Sequence, residues 1–266
     1  MIDIHCHILP EIDDGAHDMQ EALEMCRMAE ADGISTIVAT PHYKPGAFFW
    51  SAADMQVRIA SLQDELSTSC SALAILPGAE LSLSPELPRL LREDSFLTIN
   101  RGIYFLVEFH LHSFQANALP FLVSLMESGL VPVIAHPERY DWFARQPELF
   151  TELIRRGALL QLSAGSIRGE FGPTIGEFSR ELLRRGLAHV IASDGHNRAD
   201  RRPLLSRAVT LAANLIGAER AEAMVTTTPA AIIAGIRPQI PVAEDRLLSR
   251  PTTSRSWIRR ILGAAS

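Results

Sequence analysis

The sequence predicts an α/β domain of parallel strands rolled into a barrel. Short apolar, β-branched runs alternate with longer amphipathic stretches along the chain. Seven such strand–helix units follow one another, and a helix between two strands makes their pairing parallel. Residues capable of chemistry stand at the C-terminal ends of nearly every strand: His5 and His7, His42, Glu80, Glu108, His136, Asp194 and His196. A barrel builds its site there from many strands. An open sheet would gather it near one switch point.

The first strand is expected over 2–5. A helix follows over 18–31, where Ala22, Met25, Cys26 and Ala29 recur at helical spacing and Gly33 lies just past the end. The second strand is expected at 35–40 and its helix at 52–67. The third begins at 74–76 and runs on toward Leu81. The fourth spans 103–109, before a helix at 116–128. Strands at 131–136, 159–163 and 189–193 are followed by helices at 147–156, 175–185 and 203–216. Gly129, Gly157, Gly186 and Gly217 each stand where a helix would stop. There is no internal repeat. The body ends near Pro241, giving a domain over 1–241 and a tail over 242–266.

Composition narrows the class. The 266 residues are 47% hydrophobic and 21% charged, which excludes a disordered or collagen-like chain. No apolar run is long enough for a transmembrane helix, and the start Met-Ile-Asp-Ile-His is not a signal peptide. Three cysteines (Cys6, Cys26, Cys70) fit a reduced, cytoplasmic compartment better than a disulfide framework. The net charge is −6, yet the chain from Arg246 onward holds five arginines and no acid, so the residues before it carry −11. That argues against nucleic acid as a partner.

Six motifs carry chemistry. His5-Cys6-His7 puts two imidazoles on one face of a strand, and Asp13-Asp14-Gly15 makes a turn able to bring a carboxylate back toward them. Thr40-Pro41-His42, Gly78-Ala79-Glu80 and Val107-Glu108-Phe109 each end a strand. Glu108 closes an apolar run, where a carboxylate is costly unless paired or bound to metal. His136-Pro137-Glu138-Arg139-Tyr140 and Ser193-Asp194-Gly195-His196-Asn197 complete the set, with Arg201-Arg202 close behind. Any one motif alone reads as structural. Five histidines and four carboxylates together read as a multinuclear metal site, and mixed imidazole and carboxylate ligands suit Mn, Fe or Zn.

Quoted in order, H-C-H-I-L-P with D-D-G, T-P-H, G-A-E, E-F, H-P-E-R-Y and S-D-G-H-N resemble the polymerase-and-histidinol-phosphatase (PHP) superfamily. More closely they resemble its manganese-dependent bacterial tyrosine-protein phosphatases of capsule and exopolysaccharide synthesis. The resemblance spans residues 1–236. It implies a distorted (β/α)7 barrel of the PHP type and three divalent metal ions, with manganese expected. One ion would be held by His5, His7, Glu80 and Asp194, a second by Glu80, Glu108 and His136, and a third by Asp14, His42 and His196. Asp14, directly before the glycine, is preferred to Asp13. Arg139 and Arg201 match the phosphate-binding arginines, with Arg202 the neighbour able to replace Arg201. His17, His110, His112 and His189 are read as surface or packing residues.

The implied reaction is hydrolysis of phosphotyrosine by metal-activated hydroxide attack on phosphorus. The two arginine forks would hold the phosphate oxygens. Tyrosine leaves with a pKa of about 10, so a weak acid suffices; His42 or a water could serve. A cysteine-based route needs an arginine six positions after the thiolate, and those positions hold Ile12, Asp32 and Leu76. The expected partner is a membrane-anchored tyrosine kinase of polysaccharide synthesis. The alternatives are a histidinol-phosphate phosphatase-like phosphomonoesterase and a non-catalytic kinase-binding protein. In the tail, Trp257, Ile258, Ile261 and Leu262 could share one side of a basic helix. Such a helix could touch anionic lipid; a disordered soluble tail is the other reading.

Overall fold

A computed structural model describes residues 1–239 except 45, 70, 116 and 144–147. The tail at 242–266 and the domain boundary at 241 lie outside the described residues, as do Cys70 and the first residue of the helix expected at 147–156.

The strands are β1 (Ile2–Cys6), β2 (Thr36–Ala39), β3 (His42–Tyr43), β4 (Ala74–Pro77), β5 (Glu80–Ser82), β6 (Tyr104–Glu108), β7 (Val131–Ala135), β8 (Leu159–Ser163) and β9 (Val190–Ala192). Every pairing between them is parallel. The hydrogen-bonded ladders form two sheets, ordered β1-β2-β4 and β3-β5-β6-β7-β8-β9. The third strand expected from the sequence is thus broken in two, and the second is followed, beyond its expected end, by the short β3. Pro41 and Pro77 sit at these breaks and cannot donate to a ladder. The register nonetheless carries through: Thr36 faces Ala74 and His42 faces Glu80, the same stagger on both sides of the gap. The remaining edges, β9 and β1, meet just past their C-terminal ends. There Asp194 N donates to His5 O and His7 N to Gly195 O, both at 2.8 Å. Seven staves thus follow one another as expected, in a ring whose hydrogen bonding is interrupted.

The helices are α1 (Met19–Ala31), α2 (Ala52–Thr68), α3 (Leu87–Glu93), α4 (Ala118–Glu127), α5 (Glu148–Arg155), α6 (Ala164–Arg168), α7 (Pro173–Arg184), α8 (Ser206–Ile216), α9 (Ala218–Ala223) and α10 (Thr227–Ile233). Asp18 caps α1 by accepting from Glu21 N, and Ser51 with Asp54 forms a capping box on α2. The short helices α3, α6, α9 and α10 were not expected, because one or two turns leave no readable 3.6-residue period.

Both faces of the strands are buried. Val38, Leu106, Val133 and Val190 belong to an inner cluster that also holds Ile4, Ile99 and Ile232. Their neighbours Ile37, Phe105, Ile134 and Ile191 pack outward with Met25, Leu62, Leu122 and Leu182. This is why the strands read as continuous apolar runs rather than alternating ones. It leaves the strand ends as the place where polar side chains gather.

Candidate metal centre

His5 and His7 project to the same side, as their spacing predicts, with Nε2 atoms 3.2 Å apart. The far nitrogen of each ring is held. His5 Nδ1 lies 2.9 Å from Gln161 Oε1 and His7 Nδ1 lies 2.6 Å from Asp13 Oδ2. Both partners are acceptors at these atoms, so the Nδ1 proton is fixed and Nε2 faces the cluster. Burial would lower the pKa of His7, but the Asp13 carboxylate outweighs it and raises it to about 10. Asp13 is in turn held down at about 2: burial opposes this, and His7 with the backbone N–H groups of His42 and Gly15 overrides it.

The turn after β1 separates the two aspartates. Asp13 works from behind, accepting from Gly15 N at 2.9 Å and His42 N at 2.8 Å. Asp14 faces the cavity, its Oδ1 3.5 Å from His42 Nε2 and 3.6 Å from His196 Nε2, and its side chain is 53% exposed. Gly15 is needed for close approach rather than for a left-handed backbone: a Cβ there would lie 2.2 Å from His7 O.

Glu80 sits at the centre, fully buried. Its Oε1 is 2.8 Å from His136 Nε2 and its Oε2 is 2.9 Å from His42 Nδ1. Burial pushes its pKa up, yet His5, His136 and His42 together hold it well below the usual range. Glu108 accepts from Ser82 Oγ at 2.7 Å and stands 3.9 Å from His42 Nδ1. His196 Nδ1 donates to Asp194 O, so Nε2 turns toward Asp14; burial, then His7, lowers its pKa to about 2. His136 and Asp194 both adopt left-handed backbone, with φ of 30° and 54°. Such strain persists in non-glycine residues where the surroundings over-determine it.

Asp194 joins two functions. Its Oδ1 lies 3.4 Å from His5 Nε2, while Arg201 Nη2 approaches it at 2.7 Å and Arg139 Nη1 approaches Oδ2 at 3.0 Å. Burial works against its ionisation, but His5 and Arg201 keep it ionised far below the ordinary range. Both guanidinium groups lie against one ring, that of Phe171, at 4.9 and 6.0 Å. Arg202 is exposed and does not line the cavity that Arg139 and Arg201 reach. The arginines, Asp14, His42, Glu80, Glu108, His136 and Asp194 line one cavity of about 260 Å³, with Lys44, Phe48 and Leu111 completing its wall.

Among the described residues, donor atoms within 4.8 Å of one another fall into three groups: His7, Asp14, His42 and His196; His5, His7 and Glu80; and His42, Glu80 and Glu108. Glu80 Oε2, His42 Nδ1 and His196 Nε2 are buried without a well-aligned hydrogen bond. Buried polar atoms that face one another unsatisfied are what cations would complete, so the residues fit a metal cluster. The grouping differs in three respects from what the resemblance implies. His7 also joins Asp14, His42 and His196; Asp194 falls in none of the three groups; and His42 stands with Glu80 and Glu108, which His136 reaches through Glu80.

Sequence reasoning missed Gln161, the holding role of Asp13, and Phe171. Gln161 lies in the middle of a buried strand, and a polar residue in an apolar run was the available signal. Nothing in the sequence marks Phe171. His17, His110 and His112 are exposed and His189 is buried in packing. Cys6 and Cys26 are buried too.

The profile of the family described as capsular polysaccharide synthesis, CpsB/CapC, matches residues 1–234. The tyrosine-protein phosphatase YwqE of Bacillus subtilis (strain 168) is 39% identical over 197 residues, covering 74% of this chain and 78% of that one. The tyrosine-protein phosphatase CpsB of Streptococcus pneumoniae is 30% identical over 238 residues, covering 88% and 98%. A solved structure from work on YwqE and CpsB, described as unique metal-dependent tyrosine phosphatases, superposes with a TM-score of 0.84 at 34% identity over 91% of this chain and 98% of that one. Histidinol phosphate phosphatase from Lactococcus lactis shares the fold, with a TM-score of 0.54 at 16% identity over 83% and 93%. By profile, sequence and fold alike, the chain belongs to the CpsB/CapC family.

Proposed function

We propose that this cavity hydrolyses phosphotyrosine in proteins, with His5, His7, Asp14, His42, Glu80, Glu108, His136, Asp194 and His196 holding three divalent ions. The enzyme is a metal-dependent tyrosine-protein phosphatase, like its relatives. One observation carries the assignment of the site: unsatisfied imidazole and carboxylate atoms converge beside two arginines in one cavity. Manganese is the expected metal, and the donor set also suits Fe or Zn.

Divalent ions in such a cluster acidify water into a nucleophile and neutralise phosphate charge. The chain does the rest. Gln161 and Asp13 orient the imidazoles of His5 and His7. Arg139 and Arg201 turn from Asp194 toward the phosphate oxygens, each a fork suited to that geometry. Phe171 keeps both guanidinium groups on the same side. His42 stands at the cavity wall with both ring nitrogens directed at carboxylates, which suits a ligand, and the leaving phenolate, with a pKa of about 10, needs at most a weak proton donor.

The proposed substrate is the phosphotyrosine of a membrane-anchored polysaccharide-biosynthesis kinase, met in the cytoplasm. No helix among the described residues is long and apolar enough to cross a membrane. The basic segment 242–266, proposed as a separate tail, would supply any membrane contact. A chain ending at Pro241 should then sediment less with anionic vesicles than the full chain.

The test is turnover by the manganese-loaded protein of a phosphotyrosine peptide, a phosphoserine peptide and histidinol phosphate. The phosphotyrosine peptide is expected to be the best substrate; histidinol phosphate as the best would assign a small-molecule esterase instead. Arg139→Ala should lower kcat/KM by about 100-fold or more with an unchanged circular dichroism spectrum. A fully active Arg139→Ala protein would refute the role given to that residue.

A further inference from the structure

The catalytic cavity continues beyond the proposed metal centre. Lys44, Glu108 and Leu111 form a wall shared with a second cavity of about 310 Å³. That cavity shares Leu83 and Gln115 with a third, of about 550 Å³. The three make one trough. It starts at Glu80 and Glu108 and leads past the ends of β5 and β6 to the first turn of α4.

The lining changes along its length. Lys44, Glu108, His110 and His112 stand among Phe109 and Leu111 in the part beside the catalytic cavity, whereas the far part holds no charged side chain and is lined by Leu83, Pro85, Ala118 and Phe121 with Gln115 and Asn117. Ser84 also lines the far part, and its Oγ is buried without a hydrogen-bond partner. A phosphotyrosine whose phosphate met the proposed metal centre would place its side chain in the first cavity, and the other two continue from there.

We propose that the trough seats the polypeptide on one side of the phosphotyrosine, as an extended segment. A polar or acidic residue lies beside the phosphotyrosine against Lys44, and an apolar side chain further along fills the space between Leu83 and Phe121. Extended chain suits a trough that changes character along its length, because alternate side chains then enter and leave it. The proposal rests on the phosphatase reading and adds how the enzyme selects among phosphotyrosines.

The test compares kcat/KM for free phosphotyrosine with that for phosphotyrosyl peptides, using the full chain loaded with manganese. One leucine is moved stepwise away from the phosphotyrosine, on either side, and replaced by aspartate at its best position. The ratio of peptide to free phosphotyrosine is expected to exceed about ten for the best leucine peptide, and aspartate there should abolish most of the gain. Phe121→Ala and Pro85→Glu should each cut the ratio severalfold. The ratio does not depend on how much of a variant is folded. A ratio near one for every peptide, or equal ratios in the wild type and both variants, overturns the trough alone. No turnover of free phosphotyrosine overturns the phosphatase reading as well.

Discussion

Two histidines two residues apart are held by different chemistry. His7 leans on a carboxylate and His5 on the neutral amide of Gln161, so only the first ring gains basicity from a charge behind it. Gln161→Leu would leave His5 Nδ1 buried without an acceptor and free the ring to take the wrong tautomer. Metal affinity should fall about 10–100-fold. Titration of manganese into the apo-protein, followed by calorimetry, reads this, and an unchanged affinity would remove Gln161 from the site. His189 makes a pH prediction away from the metal. Burial, aided by Arg220, lowers its pKa to about 4, and its Nδ1 accepts from Leu160 N. The unfolded chain takes up this proton near pH 6.5 and the folded one does not. Stability is therefore intact above pH 6.5 and lost as pH falls toward 4, by about 3 kcal/mol from this group. Denaturant melts of His189→Gln should show a shallower acid loss than the wild type; parallel curves would contradict the assignment.

At the scale of elements, what the sequence made legible follows from what leaves a periodic trace. Apolar runs located all seven staves, and β8 appears over the expected residues, because buried parallel strands are apolar on both faces. The breaks at Pro41 and Pro77 were written in the sequence, but their effect depends on which backbone groups face each other across the sheet. The ligand candidates were legible because imidazole and carboxylate at strand ends have few structural uses. Gln161 and Phe171 were not, since glutamine and phenylalanine have many. Glycines marked where helices stop, but no N-cap was read from the sequence. Ser51 accepts from Asp54 N, and Asp54 accepts from Ser51 N. Ser51→Ala should cost about 1 kcal/mol in denaturant unfolding without altering activity, and a larger loss would mean that α2 does more than pack.

For the whole molecule, metal and fold are linked. Glu80 and Asp194 are buried among histidines, and cations that bind only the folded chain stabilise it by mass action. One ion at 100 times its dissociation constant adds about 2.7 kcal/mol. Chelation should lower the melting temperature and manganese should restore it; a melting curve indifferent to both would argue against ligation by these residues.

The bridge between β9 and β1 fixes when this can happen. His5 and His7 stand on the first stave of the ring and Asp194, His196 and Arg201 just past the last, and the two are joined through the contacts of Asp194 with His5 and Gly195 with His7. The candidate cage is therefore complete only when the ring is closed, so a cation that needs ligands from both ends of it binds the folded chain and not a part of it.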